Sequence, residues 1–283
     1  MNLSYYPGCS LHGSSREYDV STKAVCRALG IELRELDDWI CCGASSGHSL
    51  DETLSFALPA KNLKLASESG LDLLVPCAAC YNRLKAARRA IKESESVRKT
   101  TKDLLDFDGG DNGQKILNWI ELLKDRIGLG ALTAQLRKPL TGLKAVCYYG
   151  CLLVRPQAVT GFDHPEHPRS MEEILRILGA DPVRWASAAE CCGGSLSLSR
   201  SEIVKDLVDG IVRSAVEAGA GVIVTLCPLC LENLDMRQSR GSLPILYLTE
   251  LLGLALGLEE APGWIKKHMI DPTPLLGSLR LIP

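Results

Sequence analysis

Ten of the twelve cysteines in this chain fall into two sets of five with the same internal order. Each set holds a single cysteine after a glycine, an adjacent pair followed by glycine, and a Cys-x-x-Cys. The first set is Cys9, Cys41, Cys42, Cys77 and Cys80, and the second is Cys151, Cys191, Cys192, Cys227 and Cys230. Thiolate is the soft ligand for iron–sulfur clusters, Cu(I) and zinc. A Cys-x-x-Cys lets two thiolates approach one site from a tight turn. The adjacent pair says more, because neighbouring side chains point apart on ordinary backbone. Binding both to one metal ion is awkward, whereas a cluster with several irons takes them on different iron atoms. Gly43, Gly193 and Gly194 beside the pairs suit a backbone that needs positive φ or close approach.

Other readings of the same thiols fit less of the pattern. A structural zinc site takes four ligands in a tetrahedron, so five cysteines per half leave one over; zinc in one half stays open as the alternative. Cys227-Pro228-Leu229-Cys230 alone has the form of a thioredoxin-like dithiol, but that motif counts only in its βαβ context. A disulfide framework suits a short exported chain. Here the chain has 283 residues and opens Met1-Asn2-Leu3-Ser4-Tyr5-Tyr6-Pro7, without the basic stretch and apolar core of a signal peptide. The expectation is a cytoplasmic protein with reduced thiols. Cys26 and Cys147 have no counterpart in the other half and read as small buried hydrophobes.

The elements that must position these cysteines repeat with them. Cys41-Cys42-Gly43 and Cys77-x-x-Cys80 recur 150 residues later, whereas Gly8-Cys9 recurs after 142 as Gly150-Cys151. The segment 116–123 recurs at 245–252, an offset of 129, which leaves 21 extra residues in the first half, around 93–113. That stretch, rich in Lys, Asp, Ser and Gly, reads as an exposed excursion. Met1–Tyr6, Leu33–Leu36, Leu71–Pro76, Leu143–Tyr149 and Gly221–Leu226 read as strands, and Arg16–Leu29, Leu50–Ser69, Ser170–Leu178 and Ser197–Ala218 as helices. Alternating strands and helices predict an α/β fold, with a small, mostly parallel sheet flanked by helices in each of two duplicated domains, 1–140 and 141–283. Ligands on such sheets gather beyond the carboxyl ends of the strands, where the three cysteine elements of each half converge.

The whole-chain numbers exclude little else. Hydrophobic residues are 46% and charged residues 23%, with a formal net charge of −2, which favours neither nucleic acid nor an anionic membrane. No apolar run reaches the roughly 18–20 residues needed to span a bilayer. The sequence has no ferredoxin-type cysteine run. Gly128-x-Gly130 lacks the third glycine of a dinucleotide fingerprint.

The doubled pattern Cys-x(31–39)-Cys-Cys-Gly-x(33–34)-Cys-x-x-Cys resembles the cysteine-rich CCG domain. Two such domains without a ferredoxin module resemble the B subunit of heterodisulfide reductase, over nearly the whole chain. That resemblance implies a noncubane 4Fe-4S cluster on each five-cysteine set, with the ten cysteines as cofactor and metal ligands. It implies an oxidoreductase subunit that reduces a disulfide, such as that of coenzymes M and B or a related one, to two thiols. It also implies electrons from an iron–sulfur, ferredoxin-like C subunit and a flavin-containing A subunit. Two alternatives are an electron-relay subunit with no substrate of its own and a zinc-bearing structural subunit.

Several residues near the cysteines are candidates for support. His48 stands where the second half has Leu198, and its near-neutral pKa suits proton donation to a leaving thiolate or a surface or capping role. His12 follows Cys9, and Arg155 follows Cys151 as a candidate for an anionic thiol substrate. His164 and His167 sit in a Pro-punctuated loop and either border a substrate mouth or face solvent. Pro272-Thr273-Pro274-Leu275-Leu276 reads as partner-facing apolar surface or as a disordered end.

Overall fold

The structure is a computed structural model that describes residues 1–44, 47–110, 113–239 and 243–283, without the side chain of His48. In the first half, β1 (Asn2–Tyr5) leads to α1 (Gly8–His12), α2 (Arg16–Ala28) and β2 (Glu32–Glu35). Next come α3 (Gly47–Leu50), α4 (Glu52–Ser69), β3 (Leu73–Leu74), α5 (Ala78–Glu93) and α6 (Glu95–Leu105). The half closes with β4 (Ile116–Leu117), α7 (Trp119–Glu121), a π-helical turn (Leu122–Ile127) and α8 (Leu129–Gln135). The second half repeats the plan with β5 (Lys144–Tyr148), α9 (Gly150–Val154), α10 (Gln157–Thr160), α11 (Ser170–Ile177) and β6 (Asp181–Pro182). It continues through α12 (Ser201–Glu217), β7 (Val222–Thr225), α13 (Pro228–Arg237), β8 (Ile245–Tyr247) and α14 (Leu248–Ala255), and ends with α15 (Ala261–Ile265) and α16 (Thr273–Ser278).

The fold is α/β, with two four-stranded sheets in the orders β2-β1-β3-β4 and β6-β5-β7-β8. Every pairing is parallel, in registers such as Tyr5↔Leu74 and Tyr148↔Thr225. Parallel sheets need both faces covered, and the central strands obey: Val222–Thr225 is buried at every position. In each order the strand sequence reverses between the first and third strands of the half. The crevice beyond that reversal is where such sheets hold ligands.

The halves pack head to head by reciprocal contacts. Helix α2 lies on α14, and its counterpart α11 lies on α7; α5 lies on α9, and its counterpart α13 lies on α1. Tyr18 marks the centre of this interface. Its ring is fully buried and stacks on Tyr247 with centroids 3.9 Å apart. Its hydroxyl lies 2.8 Å from the Leu226 carbonyl and 3.2 Å from the Pro76 carbonyl. Those carbonyls immediately precede the two Cys-x-x-Cys motifs, so one side chain ties both strand ends together.

Two segments differ from the sequence expectation. The excursion after α5 is not open chain: Glu95–Leu105 forms helix α6, capped by Ser94 and packed on α4 and α5. Only Thr101 of it is buried, so its composition reads as loop while its packing is helical. The tail at 272–276 is not a disordered end. It forms the start of α16, with Leu276 and the following Leu281 buried in the chain's own core.

The C-terminal segment is anchored by a buried charged triad. The Asp235 carboxylate accepts from the Met269 and Ile270 N–H groups. His268 Nε2 lies 2.9 Å from the Glu250 carboxylate, and its Nδ1 lies 3.8 Å from Asp235. Glu250 in turn accepts the Tyr247 N–H at the start of α14. Burial alone would lower the His268 pKa; the Glu250 carboxylate, then Asp235, outweigh it and leave it raised.

Candidate metal centre

Each cysteine element sits where a strand ends. Cys9 follows β1, the Cys41–Cys42 pair follows β2, and Cys77 caps α5 after β3. Cys151, Cys191–Cys192 and Cys227 repeat those places after β5, β6 and β7. The second cysteine of each Cys-x-x-Cys lies in the first turn of α5 or α13, where free N–H groups and the helix dipole favour thiolate charge.

Local sequence sets this geometry twice. Gly8 and Gly150, just before the single cysteines, take φ of +72° and +64°. A Cβ at Gly8 would lie 3.0 Å from Cys80 Sγ, and one at Gly150 would lie 3.1 Å from Cys230 Sγ. Glycine is therefore required both by its left-handed backbone and by the closeness of the sulfur. Gly43 and Gly193 also take positive φ, as expected beside the pairs, whereas Gly194 does not.

A second device was missed at the sequence level. The Tyr6 hydroxyl donates to the Ile40 carbonyl at 2.7 Å, and the Tyr148 hydroxyl donates to the Glu190 carbonyl at 2.7 Å. Ile40 and Glu190 immediately precede the two cysteine pairs. Asn62 adds a second tie in the first half, accepting from Ile40 N and donating to its carbonyl. The signal was present in the Tyr-x-Gly-Cys string common to both halves.

The ten cysteines come together as two adjoining groups. Cys41 and Cys9 sulfurs are 3.8 Å apart, Cys42 and Cys80 are 3.3 Å apart, and Cys192 and Cys230 are 3.5 Å apart. The groups meet across the interface, where Cys77 and Cys227 follow the two carbonyls that share the Tyr18 hydroxyl and perturb each other's ionisation. No cysteine is in a disulfide. Each group lines a small pocket of its own. Ala44, Ala79 and Leu229 border both. Cys9, Cys41 and Cys191 are exposed, and the other sulfurs lie deeper, so each cavity reaches solvent past its outer thiols.

Thiol crowding produces opposite electrostatic effects within each group. Hydrogen bonds from the Cys42 and Cys9 thiols, and from the Gly43 N–H, hold Cys41 far below the usual thiol range. The bond with Cys151, helped by the Gly193 N–H and by Arg155, brings Cys191 down to about 6. Contact with Cys41 and then burial raise Cys9. Contact with neighbouring sulfurs and then burial also raise Cys77, Cys80 and Cys230. Five sulfurs cannot all ionise this close together in a buried pocket unless a cation compensates them. The donor set therefore fits a multi-iron cluster, which would bind thiolates from several directions at once.

The remaining candidates fall elsewhere. The side chain of His48 lies outside the described residues, although its backbone belongs to α3. His12 pairs with Glu35 at 2.8 Å and rests edge-on against Trp39. Arg155 pairs with Glu166 while its charge reaches Cys191. His164 and His167 stack on each other, and His164 Nδ1 accepts two N–H groups of its own loop. Cys26 and Cys147 are fully buried, matching their expected core role. A larger cavity, lined by Lys85, Arg88, Arg89, Lys92 and Arg98, lies on the far half of α5 and contains no thiol.

Comparison with known proteins gives the same grouping. The cysteine-rich domain family called CCG matches residues 3–85 and 145–235. The chain is 31% identical, over 96% of its length and 98% of the relative, to the 8-methylmenaquinol:fumarate reductase membrane anchor subunit of Wolinella succinogenes. It is 29% identical, over 89% of each chain, to an Archaeoglobus profundus protein named as similar to the B subunit of heterodisulfide reductase. It is 26% identical to the B subunit of a ferredoxin/F(420)H(2)-dependent CoB-CoM heterodisulfide reductase of Methanosarcina acetivorans, over 98% of this chain and 96% of that one. A crystal structure of a hypothetical protein from Helicobacter pylori superposes with a TM-score of 0.70 at 10% identity. That likeness shows the fold alone, over 95% of this chain and about half (52%) of the solved one.

Proposed function

The chain belongs to the CCG family of cysteine-rich domains, and on that premise we propose that each five-cysteine set holds a noncubane 4Fe-4S cluster. The protein is then the iron–sulfur redox subunit of a heterodisulfide-reductase-type complex, reducing a disulfide to two thiols. The domains are 1–140 and 141–283. The supporting observation is that the pockets of the two sets share Ala44, Ala79 and Leu229 as lining while each opens past exposed cysteines.

Such clusters supply one electron each when bound. Breaking an S–S bond takes two electrons and two protons and leaves two thiols, so paired sites match the stoichiometry. The chain's own residues hold the outer cysteines at the mouth. Tyr6 and Tyr148 fix the loops before the pairs, and Gly8 and Gly150 let the single cysteines approach the Cys-x-x-Cys sulfurs. Tyr18 fixes both motifs relative to each other across the interface. Electrons arrive from partner subunits, an iron–sulfur C subunit and a flavin-bearing A subunit in the disulfide-reducing reading.

A second reading has a specific observation behind it. Leu50 and Leu54 follow the first cysteine pair, and Leu196, Leu198 and Ile203 follow the second, all as exposed apolar side chains. Leu198 is fully exposed, at 101%. Apolar side chains on the segments that follow the cysteine pairs in both halves suit a bilayer surface or a quinol, and the Wolinella relative is named for a quinol-linked reductase. No helix among the described residues is long and apolar enough to cross a membrane, so this contact would be superficial.

The test is iron, acid-labile sulfide and zinc content of protein purified without air, followed by oxidation of the reduced protein by a disulfide. About eight irons and eight sulfides per chain, the sum of two four-iron clusters, sustain the cluster reading; zinc with little sulfide overturns it. Electron transfer to the disulfide sustains the first substrate. Reduction of the protein by a menaquinol analogue, with no response to disulfides, replaces it with the second.

A further inference from the structure

The two cysteine groups differ in charge at one matched position, three residues after each Cys-x-x-Cys. In the second half this is Asn233, buried in α13. Its Nδ2 donates to the Cys192 carbonyl at 3.0 Å and lies 3.8 Å from Cys192 Sγ. Its Oδ1 accepts from Ser197 Oγ at 2.8 Å and from Arg237 Nε at 3.2 Å. The positive charge here stands a full turn behind the amide, and what faces the sulfur is neutral.

In the first half the same helical position carries Arg83. Its guanidinium is half-buried, and its Nε is buried with no hydrogen-bond partner among the described residues. Burial pulls its pKa down, and the sulfur of Cys42 is the group that pushes it back up. Cys42 is the inner member of the first pair, 3.3 Å from Cys80. Arg83 stands one helical turn after Cys80, at the position whose second-half counterpart lies 3.8 Å from Cys192 Sγ, and an unpaired cationic N–H buried there calls for a negatively charged neighbour. Thiolates around a cluster are such a neighbour.

We propose that Arg83 acts as an electrostatic positioning residue that raises the reduction potential of the first cluster. This rests on the two-cluster reading above. A fixed positive charge near a site stabilises the form carrying the extra electron, and cluster potentials respond to local charge and to hydrogen bonds at sulfur. The neutral amide of Asn233 cannot supply the same bias to the second site.

The experiment is a dye-mediated potentiometric titration of the full-length, cluster-loaded protein without air, followed by electron paramagnetic resonance and visible absorbance. Wild type, Arg83→Gln and Arg83→Lys are compared. In Arg83→Gln one of the two midpoints falls and the other holds, with at least a tenfold change in the reduced-to-oxidised ratio at fixed potential, about 59 mV for one electron. Arg83→Lys, which keeps the charge, restores most of that shift. Unchanged midpoints in Arg83→Gln, or an equal fall in Arg83→Lys, overturn the proposal. Should Arg83→Gln not retain its clusters, Arg83→Met against Arg83→Lys decides: a lower midpoint in Met sustains the proposal, and equal midpoints overturn it. Wild-type protein without iron and sulfide would defeat the two-cluster reading itself, a result separate from clusters whose potentials ignore Arg83.

Discussion

Replacing Gly8 by alanine should damage the first cysteine site and leave the second intact, and Gly150→Ala should do the reverse. The backbone supplies the first part of the cost. Gly8 and Gly150 sit at φ of +72° and +64°, and an L-residue in the left-handed region is strained by about 1–2 kcal/mol. The second part is steric: the new methyl would stand 3.0 Å from Cys80 Sγ, or 3.1 Å from Cys230 Sγ. Comfortable contact between heavy atoms of this size is about 3.5–4.0 Å, so the sulfur or the helix turn must move by about half an ångström or more. Metal ligands tolerate little of that, since coordination distances hold to about 0.2 Å. The chain should fold with a modestly lower Tm, while iron and sulfide fall to about half of the value for two four-iron clusters. The assay is metal and sulfide analysis beside thermal unfolding of the two single variants and the double variant. Full iron content with an unaltered spectrum in Gly8→Ala would refute the reasoning. So would the loss of all iron, because the two sites would then not assemble separately.

Three further outcomes follow from the packing. Tyr18→Phe removes the hydroxyl shared by the Pro76 and Leu226 carbonyls and should cost about 1–3 kcal/mol by leaving buried acceptors unpaired, read by denaturant unfolding; an unchanged midpoint would contradict the proposed tie. His268→Gln leaves Glu250 and Asp235 buried without their cation, and should destabilise the protein by about 3–5 kcal/mol. Because His268 is raised above its unfolded value, its contribution is complete below about pH 6.5 and fades as pH rises through the folded pKa. Tm against pH should therefore slope downward there in wild type and flatten in His268→Gln. Tyr6→Phe and Tyr148→Phe should each cost about 1 kcal/mol and loosen one cysteine pair, seen as faster loss of iron to a chelator from one site.

The duplicated cysteine order is legible in the sequence because thiols are rare and their spacing survives insertion. Three of the four strands in the first half, and two in the second, are legible in the sequence: four as largely apolar runs bounded by glycine, proline or cysteine, and Leu33–Leu36 as the stretch before the first cysteine pair. The fourth strands, Ile116–Leu117 and Ile245–Tyr247, show only as a repeated string without a structural assignment, since two or three residues carry no periodicity. The short β6 (Asp181–Pro182) escapes for the same reason. Helix α6 reads as open chain because its surface is almost wholly polar and it gains its place by lying across α4 and α5.

By itself, then, the sequence determined two α/β units and ten thiols in two sets, since strand–helix alternation and ligand spacing are local properties of the chain. Only the tertiary structure decided that the sets adjoin. Cys77 and Cys227 are 150 residues apart, and their closeness follows from the reciprocal packing of α2 on α14 and α11 on α7, with Tyr18 between the strand ends. The same holds for Tyr6, Tyr148 and Arg83, whose importance lies in hydrogen bonds and burial. A tyrosine or an arginine has the same letter whether it faces water or a sulfur, and burial against distant segments is what sets them apart.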